Sequence, residues 1–346
     1  MRSFEPVSPN ADVRCPVCHA ACHTPVRTIY TVERAALHYC PPWRDRDRHQ
    51  QFLDCIGKMW PEGVVRIRVC DSCGFSFGDP FLGGNEEFYR ILHGQMGYPP
   101  WRWDYDVALA HPLVKTLNNG RALDIGAGSG NFLEKLGSGW EKHSVESSEV
   151  TRGVLAKKGI PAHASLDDPE LLKLRGTFDL ITMFQVLEHV AEFYPLLDNV
   201  RKLLKPGGIL FITVPDGDAM VEQERITGCP DVPPNHINRW SPESLALALE
   251  KTGLRATAPT YEPPAWSKVS QHLYLTVIAD AASPTSLAAQ IYRIRQKSIR
   301  APLLRIAGAI AAFRLVKYGS RLRNGGAFAL AATATPEGKP GAISTQ

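Results

Sequence analysis

The sequence predicts an α/β fold: a doubly wound, mostly parallel sheet, with a small cysteine-rich unit ahead of it and extra helices near the C-terminus. Three observations carry that expectation. Short apolar runs alternate with helical patterns through the middle of the chain, a glycine-rich loop sits where the first run ends, and two Cys-x-x-Cys pairs lie near the N-terminus.

With 346 residues the chain is long enough for two domains, and 44% hydrophobic residues suffice for a core. No apolar stretch follows Met1-Arg-Ser-Phe-Glu-Pro6, so a secretory signal is not expected. The most apolar late segment, Ala301 to Val316, is broken by Arg305 and Arg314, too short a run for a spanning helix. These features predict a cytoplasmic protein, where thiols stay reduced and paired cysteines point to metal rather than disulfides.

Seven of the eight cysteines precede Gly74: Cys15, Cys18, Cys22, Cys40, Cys55, Cys70 and Cys73. In Cys15-Pro-Val-Cys18 and Cys70-Asp-Ser-Cys73-Gly74, two residues between ligands let the backbone aim both thiolates at one ion. Gly74 suits the positive-φ end of such a turn. Cys15, Cys18, Cys70 and Cys73 are therefore expected to form a closed, structural zinc site, with the segment between the pairs looping out. His19, Cys22, His23, Cys40 and Cys55 compete as ligands. Buried free thiols are the plainer alternative, and a redox pair lacks the strand–helix context that it needs.

The most informative stretch is Arg121-Ala-Leu-Asp124-Ile-Gly126-Ala-Gly128-Ser-Gly130-Asn131. A short strand ends at Asp124, the glycines let backbone pass close beneath a ligand, and Phe132, Leu133 and Leu136 begin a helix. Asn131 stands where a dinucleotide fingerprint needs its last glycine, and no Gly-Lys-Ser/Thr of a P-loop is present. The loop suits a nucleoside without a pyrophosphate. A strand around His143–Val145 ends at Glu146, placed to bind a ribose diol. A helix near Val150–Lys158, a strand at Ile160–Ala164 and the strand Phe178–Phe184 follow. The helix Tyr194–Leu204 stops at Lys205-Pro206-Gly207-Gly208, and the strand Ile209–Val214 comes after it.

Leu123-Asp124-Ile-Gly126-Ala-Gly128-Ser-Gly130, Phe178-Asp179-Leu-Ile, Val186-Leu-Glu188-His189-Val190 and Leu204-Lys-Pro206-Gly207-Gly208 together resemble the motif series of class I S-adenosylmethionine (SAM)-dependent methyltransferases. The resemblance covers roughly 112–260 and implies a Rossmann-like, seven-stranded sheet with SAM over the strand ends. It implies that Gly126, Gly128 and Gly130 border the methionine moiety, with Asp124, Phe184 and Gln185 beside the cofactor and Glu146 on its ribose, while Glu188 either orients SAM or serves as a helix-start charge. Asp167 or Asp168 would approach the adenine, although Ala164-Ser165 replaces the usual acid after that strand. Cys70-Asp-Ser-Cys73-Gly-Phe-Ser-Phe-Gly-Asp-Pro80 followed by Glu86-Glu-Phe-Tyr89 is similar to the lead-in of bacterial methyltransferases with an N-terminal zinc module, including sugar C-methyltransferases. The charged insertion Pro41–Arg48 departs from that pattern.

Methyl transfer from SAM mainly requires alignment of the acceptor and, where needed, removal of a proton. Two histidines are candidate bases. His189 follows the strand bearing Asp179; its alternative is packing or capping. His236 lies in Pro233-Pro-Asn-His236-Ile-Asn-Arg-Trp240, ahead of a helix capped by Ser241 with Pro242 in its first turn. In the resembling enzymes that loop faces the acceptor, which makes His236 the stronger candidate. Its alternative is a loop-stabilising hydrogen bond. The aromatics of Tyr98–Trp103 offer a lid or, more simply, a packing contact.

From Ala281 to Pro336 there is no acidic residue, while nine lysines and arginines are interleaved with isoleucines and leucines. Segment 288–323 reads as basic amphipathic helices: a solvated face on the core, a peripheral contact with an anionic membrane, or a site for a polyanionic or nucleotide-linked substrate or a protein partner. Gly325–Thr333 reads as the last strand, with His272–Ala279 its rival, and the tail after Pro336 reads as disordered. No stacking platform accompanies the charge, so nucleic acid is not an expected partner. The expected division is 1–80 zinc module, 81–111 helical linker or lid, 112–280 SAM-binding domain, 281–324 basic helices and 325–346 last strand with tail. The leading functional expectation is methyl transfer to a small-molecule acceptor, such as a nucleotide- or lipid-linked sugar. A catalytically silent SAM-binding scaffold and a nicotinamide oxidoreductase are the alternatives, the latter disfavoured by Asn131.

Overall fold

The computed structural model describes residues 13–93 and 102–334, so Gly97–Trp101 of the proposed lid and the tail after Pro336 lie outside the described residues. The N-terminal region runs β1 (Thr28–Thr31), α1 (Val32–Tyr39), α2 (Arg46–Met59), β2 (Val64–Val69), β3 (Ser76–Asp79) and α3 (Glu86–His93). Helices α4 (Trp103–Ala110) and α5 (Pro112–Lys115) lead into the main sheet. That sheet begins β4 (Gly120–Ile125), α6 (Asn131–Lys135), β5 (Trp140–Val145), α7 (Glu149–Lys157), β6 (Ala162–His163), α8 (Pro169–Leu172) and β7 (Phe178–Phe184). It continues through α9 (Phe193–Leu203), β8 (Leu204–Pro215), α10 (Gly217–Thr227), β9 (Asn238–Arg239), α11 (Pro242–Lys251), β10 (Leu254–Ala256) and β11 (Thr260–Tyr261). Helices α12 (Trp266–Ala281), α13 (Leu287–Tyr292) and α14 (Lys297–Leu315) precede β12 (Ala327–Ala334).

The main sheet has the order β10-β12-β8-β7-β4-β5-β6, with β11 also paired to β12. Strands β4 to β8 are parallel and β12 runs antiparallel between β8 and β10. β10 pairs with Ala332–Ala334 and β11 with Phe328–Ala329, so the two are successive pieces of one interrupted edge. The sheet therefore has the seven strand positions expected. Its central strands are buried on both faces, which is why Leu-Ile-Thr-Met-Phe184 and Ile209–Val214 read as nearly unbroken apolar runs. Gly325–Thr333 is the last strand, as expected, whereas His272–Ala279 lies inside helix α12. The C-terminal insertion therefore opens at Trp266, earlier than its basic composition suggests.

The N-terminal region is not a detached domain. Its sheet has the order β1-β2-β3-β9, completed by Asn238–Arg239 from the loop after α10. Cys15, Val17, Cys70, Phe75 and Phe77 share one core with Leu123, Phe193, Val214 and Trp240. The segment between the cysteine pairs, expected to loop out, is folded around its own core of Tyr30, Phe52, Trp60, Val65 and Phe88. Within it, Pro41–Arg44 forms a turn, after which the Asp45 side chain caps α2 by accepting from the Arg48 backbone N–H. Trp43 from this turn donates to the Ala281 carbonyl at 3.0 Å, tying the N-terminal region to the end of α12.

Candidate active site and cysteine cluster

β4 ends beneath the glycine loop. Gly126, Gly128 and Gly130 all have φ between 53° and 79°, a region that side-chain-bearing residues rarely occupy. A Cβ on Gly126 would lie 2.7 Å from Val186, and one on Gly130 would lie 2.7 Å from Leu155. Glu146 is buried at the end of β5 and accepts from the N–H groups of Gly128 at 3.1 Å and Ser148 at 3.0 Å. The carboxylate thus fixes the loop's path and stands at its rim. Phe184, at the end of β7, packs edge-on against Tyr105 and Phe132. Gln185 holds φ 58° and donates to Thr213. Asp167 is exposed one residue after buried Leu166, and Asp168 caps α8.

Two further carboxylates lie under this edge. Asp124 is buried and accepts from the Thr182 hydroxyl at 2.8 Å; burial, opposed by that bond and helped by nearby Asp104, pushes its pKa up to about 7. Asp104 is fully buried, paired with Arg102 at 2.6 Å and bonded by Thr213 at 2.8 Å. Sequence reasoning missed Asp104, because it lies in a helix with almost no amphipathic pattern to set it apart.

Across from the glycine loop, β7 runs into a short 3₁₀ turn at Leu187–His189. Glu188 is 1% exposed, its Oε2 has no hydrogen-bond partner among the described residues, and burial raises its pKa to about 7. The His189 Nδ1 is 2.7 Å from the Asn235 carbonyl, and its Nε2 is 3.8 Å from the Glu188 carboxylate. The His236 ring lies 4.8 Å from that of His189, and its Nδ1 is 2.8 Å from Asp231. Burial alone would lower the His236 pKa, but the Asp231 carboxylate and then Glu188 outweigh it and raise the value above 6.5. The structure therefore brings the two predicted histidines and Glu188 together: one ligand-type atom from each lies within 4.8 Å of the others. Tyr39 locks this loop from the N-terminal region by donating to the Val232 carbonyl and accepting from the Asn235 N–H. Neither Asp231 nor Tyr39 was visible in the sequence as part of the site. Asp231 is five positions from its histidine across two prolines, where no periodicity applies.

The four cysteines singled out do converge. One sulfur from each of Cys15, Cys18, Cys70 and Cys73 lies within 4.8 Å of the others, with Cys15···Cys73 at 3.6 Å and Cys18···Cys70 at 3.5 Å. Sulfurs bonded at about 2.3 Å to one tetrahedral zinc stand roughly 3.8 Å apart, so the donor set fits that ion. Burial pushes Cys15 up strongly and Cys73 to about 11, while the backbone N–H groups of Cys73 and Ser72 overcome burial at Cys70 and bring it to about 7. Cys22 also comes near Cys70, whereas Cys40 and Cys55 lie in the separate N-terminal core.

Comparison with known proteins agrees with this geometry. Residues 104–258 match the family of methyltransferase domains. That region therefore matches a methyltransferase domain. The ubiquinone biosynthesis O-methyltransferase of Paramagnetospirillum magneticum is 23% identical over 46% of this chain and 64% of its own length. The corresponding protein of Paraburkholderia xenovorans is 31% identical over 33% of this chain and 50% of its own length. The chain thus spans less than two thirds of these relatives. A SAM-dependent methyltransferase from Archaeoglobus fulgidus is similar in structure, with TM-score 0.44 and 18% identity over 71% of this chain and 99% of that one. Within the methyltransferase domain, β9 and its flanking loop serve double duty, since they complete the N-terminal sheet and carry His236.

Proposed function

We propose that this chain binds SAM over the ends of β4, β5 and β7 and methylates a small molecule seated between the 231–238 loop and the N-terminal region. The supporting observation is the loop at the end of β4: Gly126, Gly128 and Gly130 all hold positive φ there, and the Glu146 carboxylate, accepting from the Gly128 N–H, stands beside them. When bound, SAM supplies a methyl group already activated on a sulfonium. Glu146 offers carboxylate oxygens to the ribose hydroxyls. Asp167 reaches the adenine only along the exposed rim. His236 accepts the acceptor's proton at Nε2, while Asp231 holds its Nδ1–H and stabilises the imidazolium that forms. A hydroxyl acceptor fits this arrangement, in line with the O-methyltransferase names of the relatives. His189 and Glu188 line the same space and orient the acceptor. Cys15, Cys18, Cys70 and Cys73 hold zinc in a structural role, pinning the N-terminal region against the shared core.

Calorimetric titration with SAM and with its demethylated product tests the cofactor assignment, and saturable binding of both is expected. No heat and no saturation would remove it. Metal analysis of the purified chain should give one zinc per protein, lost in Cys70→Ser; a chain equally metal-free before and after that change would end the zinc assignment. Mass spectrometry of a metabolite extract incubated with the protein and SAM should then reveal a product heavier by one methylene.

A further inference from the structure

Helix α14 is turned inside out relative to an ordinary surface helix. Leu304, Ala307, Ala311 and Leu315 form the face packed against α12 and α13. Its bulkier residues, Ile299, Ile306, Ile310 and Phe313, share the opposite face and are 47%, 56%, 50% and 85% exposed. Val316 extends that stripe at 70% exposure. Singly exposed apolar residues need no explanation, but a continuous stripe on one helix face does. The insertion itself is basic: residues 281–334 contain no aspartate or glutamate, and Lys297, Arg305 and Lys317 are exposed on α14 and the turn after it. Two further cations are paired from outside, Arg314 with Asp280 at 2.6 Å and Arg321 with Glu222 at 3.8 Å.

We propose that this face of the C-terminal insertion docks on an anionic lipid bilayer. The cations select a negatively charged partner, and the exposed aliphatic and phenyl groups require one with an apolar depth to enter. A bilayer carrying anionic headgroups offers both, whereas a nucleic acid offers only the first. Among the described residues no helix is long and apolar enough to cross a membrane, so the contact is peripheral. The insertion also leaves and rejoins the sheet at the active-site edge: Tyr261 pairs with Phe328, and Ala327 faces Pro215 at the end of β8. Docking therefore holds that edge close to the bilayer. The proposal stands on the helix alone and does not depend on methyl transfer.

The test is co-sedimentation of the full chain with vesicles of equal parts phosphatidylglycerol and phosphatidylcholine, against pure phosphatidylcholine. Binding is expected to the mixed vesicles only, and it should weaken as salt rises. The variant Ile306→Ser/Ile310→Ser/Phe313→Ser alters only exposed side chains, so it should keep the wild-type melting temperature and SAM affinity while its vesicle partitioning falls at least tenfold. Absence of binding to the mixed vesicles overturns the proposal, as does undiminished binding by the triple variant. It is equally overturned if the wild-type chain is a dimer that the triple variant dissociates, since the stripe would then be a contact between copies.

Discussion

The proposed cofactor side and the proposed acceptor side of the sheet edge are assembled in different ways. From Gly120 to His163 the chain passes once through β4, the glycine loop, β5 and β6, and that single passage supplies Asp124, the three glycines and Glu146 to the proposed cofactor side, with Phe184 and Gln185 added at the end of β7. The acceptor side collects Tyr39 from the N-terminal region, Glu188 and His189 from the end of β7, and Asp231 and His236 from the loop after α10. The first half is stabilised locally by loop-to-strand bonds such as that from Gly128 to Glu146. The second depends on long-range contacts such as the bonds of Tyr39 to Val232 and Asn235. A cofactor shared by many reactions tolerates a fixed, local frame; an acceptor site can change by exchanging any of its separate contributors.

If the division is real, substitutions on the two sides separate kinetically. The largest expected effect is at His236: replacement by Ala should lower turnover by about 10²–10⁴-fold, the usual range for a general base, while SAM affinity stays unchanged. Unchanged turnover would remove His236 as the base. Next is Glu146→Ala, which deletes charge-assisted bonds of about 1.5–3 kcal/mol and should weaken SAM binding roughly 10–100-fold by calorimetry. If instead it alters turnover at saturating SAM and spares affinity, the two halves are not distinct. A smaller effect is expected from Asp231→Asn. Asp231 raises the pKa of His236, so its loss should move the acidic limb of the rate profile to lower pH, with part of the activity retained. A limb that does not move would show that another group sets it.

The same contrast governs how much could be read from the sequence. On the proposed cofactor side the placement of the residues was legible because they follow one another at fixed spacing: Asp124, the three glycines and Glu146 all stand where the strand–loop–helix pattern puts them. The cysteine pairs were legible for the same reason, since each is a local turn. His189 and His236 could be named as candidates, but their meeting could not, because it depends on how the loop after α10 folds back over β7. Asp231, Asp104 and Tyr39 carry no local signal at all. On α14 the period was visible but its direction was not. Apolar residues at helical spacing identify two faces, and only the structure shows that alanines went inward and isoleucines outward.

The smallest expected effect concerns Glu188, which sits at the boundary between the two halves. Its folded pKa is raised from 4.5 to about 7, so the folded state holds the proton more tightly than the unfolded chain does. The stabilisation linked to that proton is fully present below about 4.5 and is lost as pH rises through 7. Glutamine keeps the shape and cannot ionise. Glu188→Gln should therefore melt with the wild type near pH 5 and several degrees above it near pH 8, where the wild type carries a buried charge with one oxygen unpartnered. A difference that does not vary with pH would mean that Glu188 does not titrate in this window. The opposite sign, with the variant less stable at pH 8, would mean that the carboxylate is held by protonated His236, and Glu188 would then belong wholly to the acceptor side.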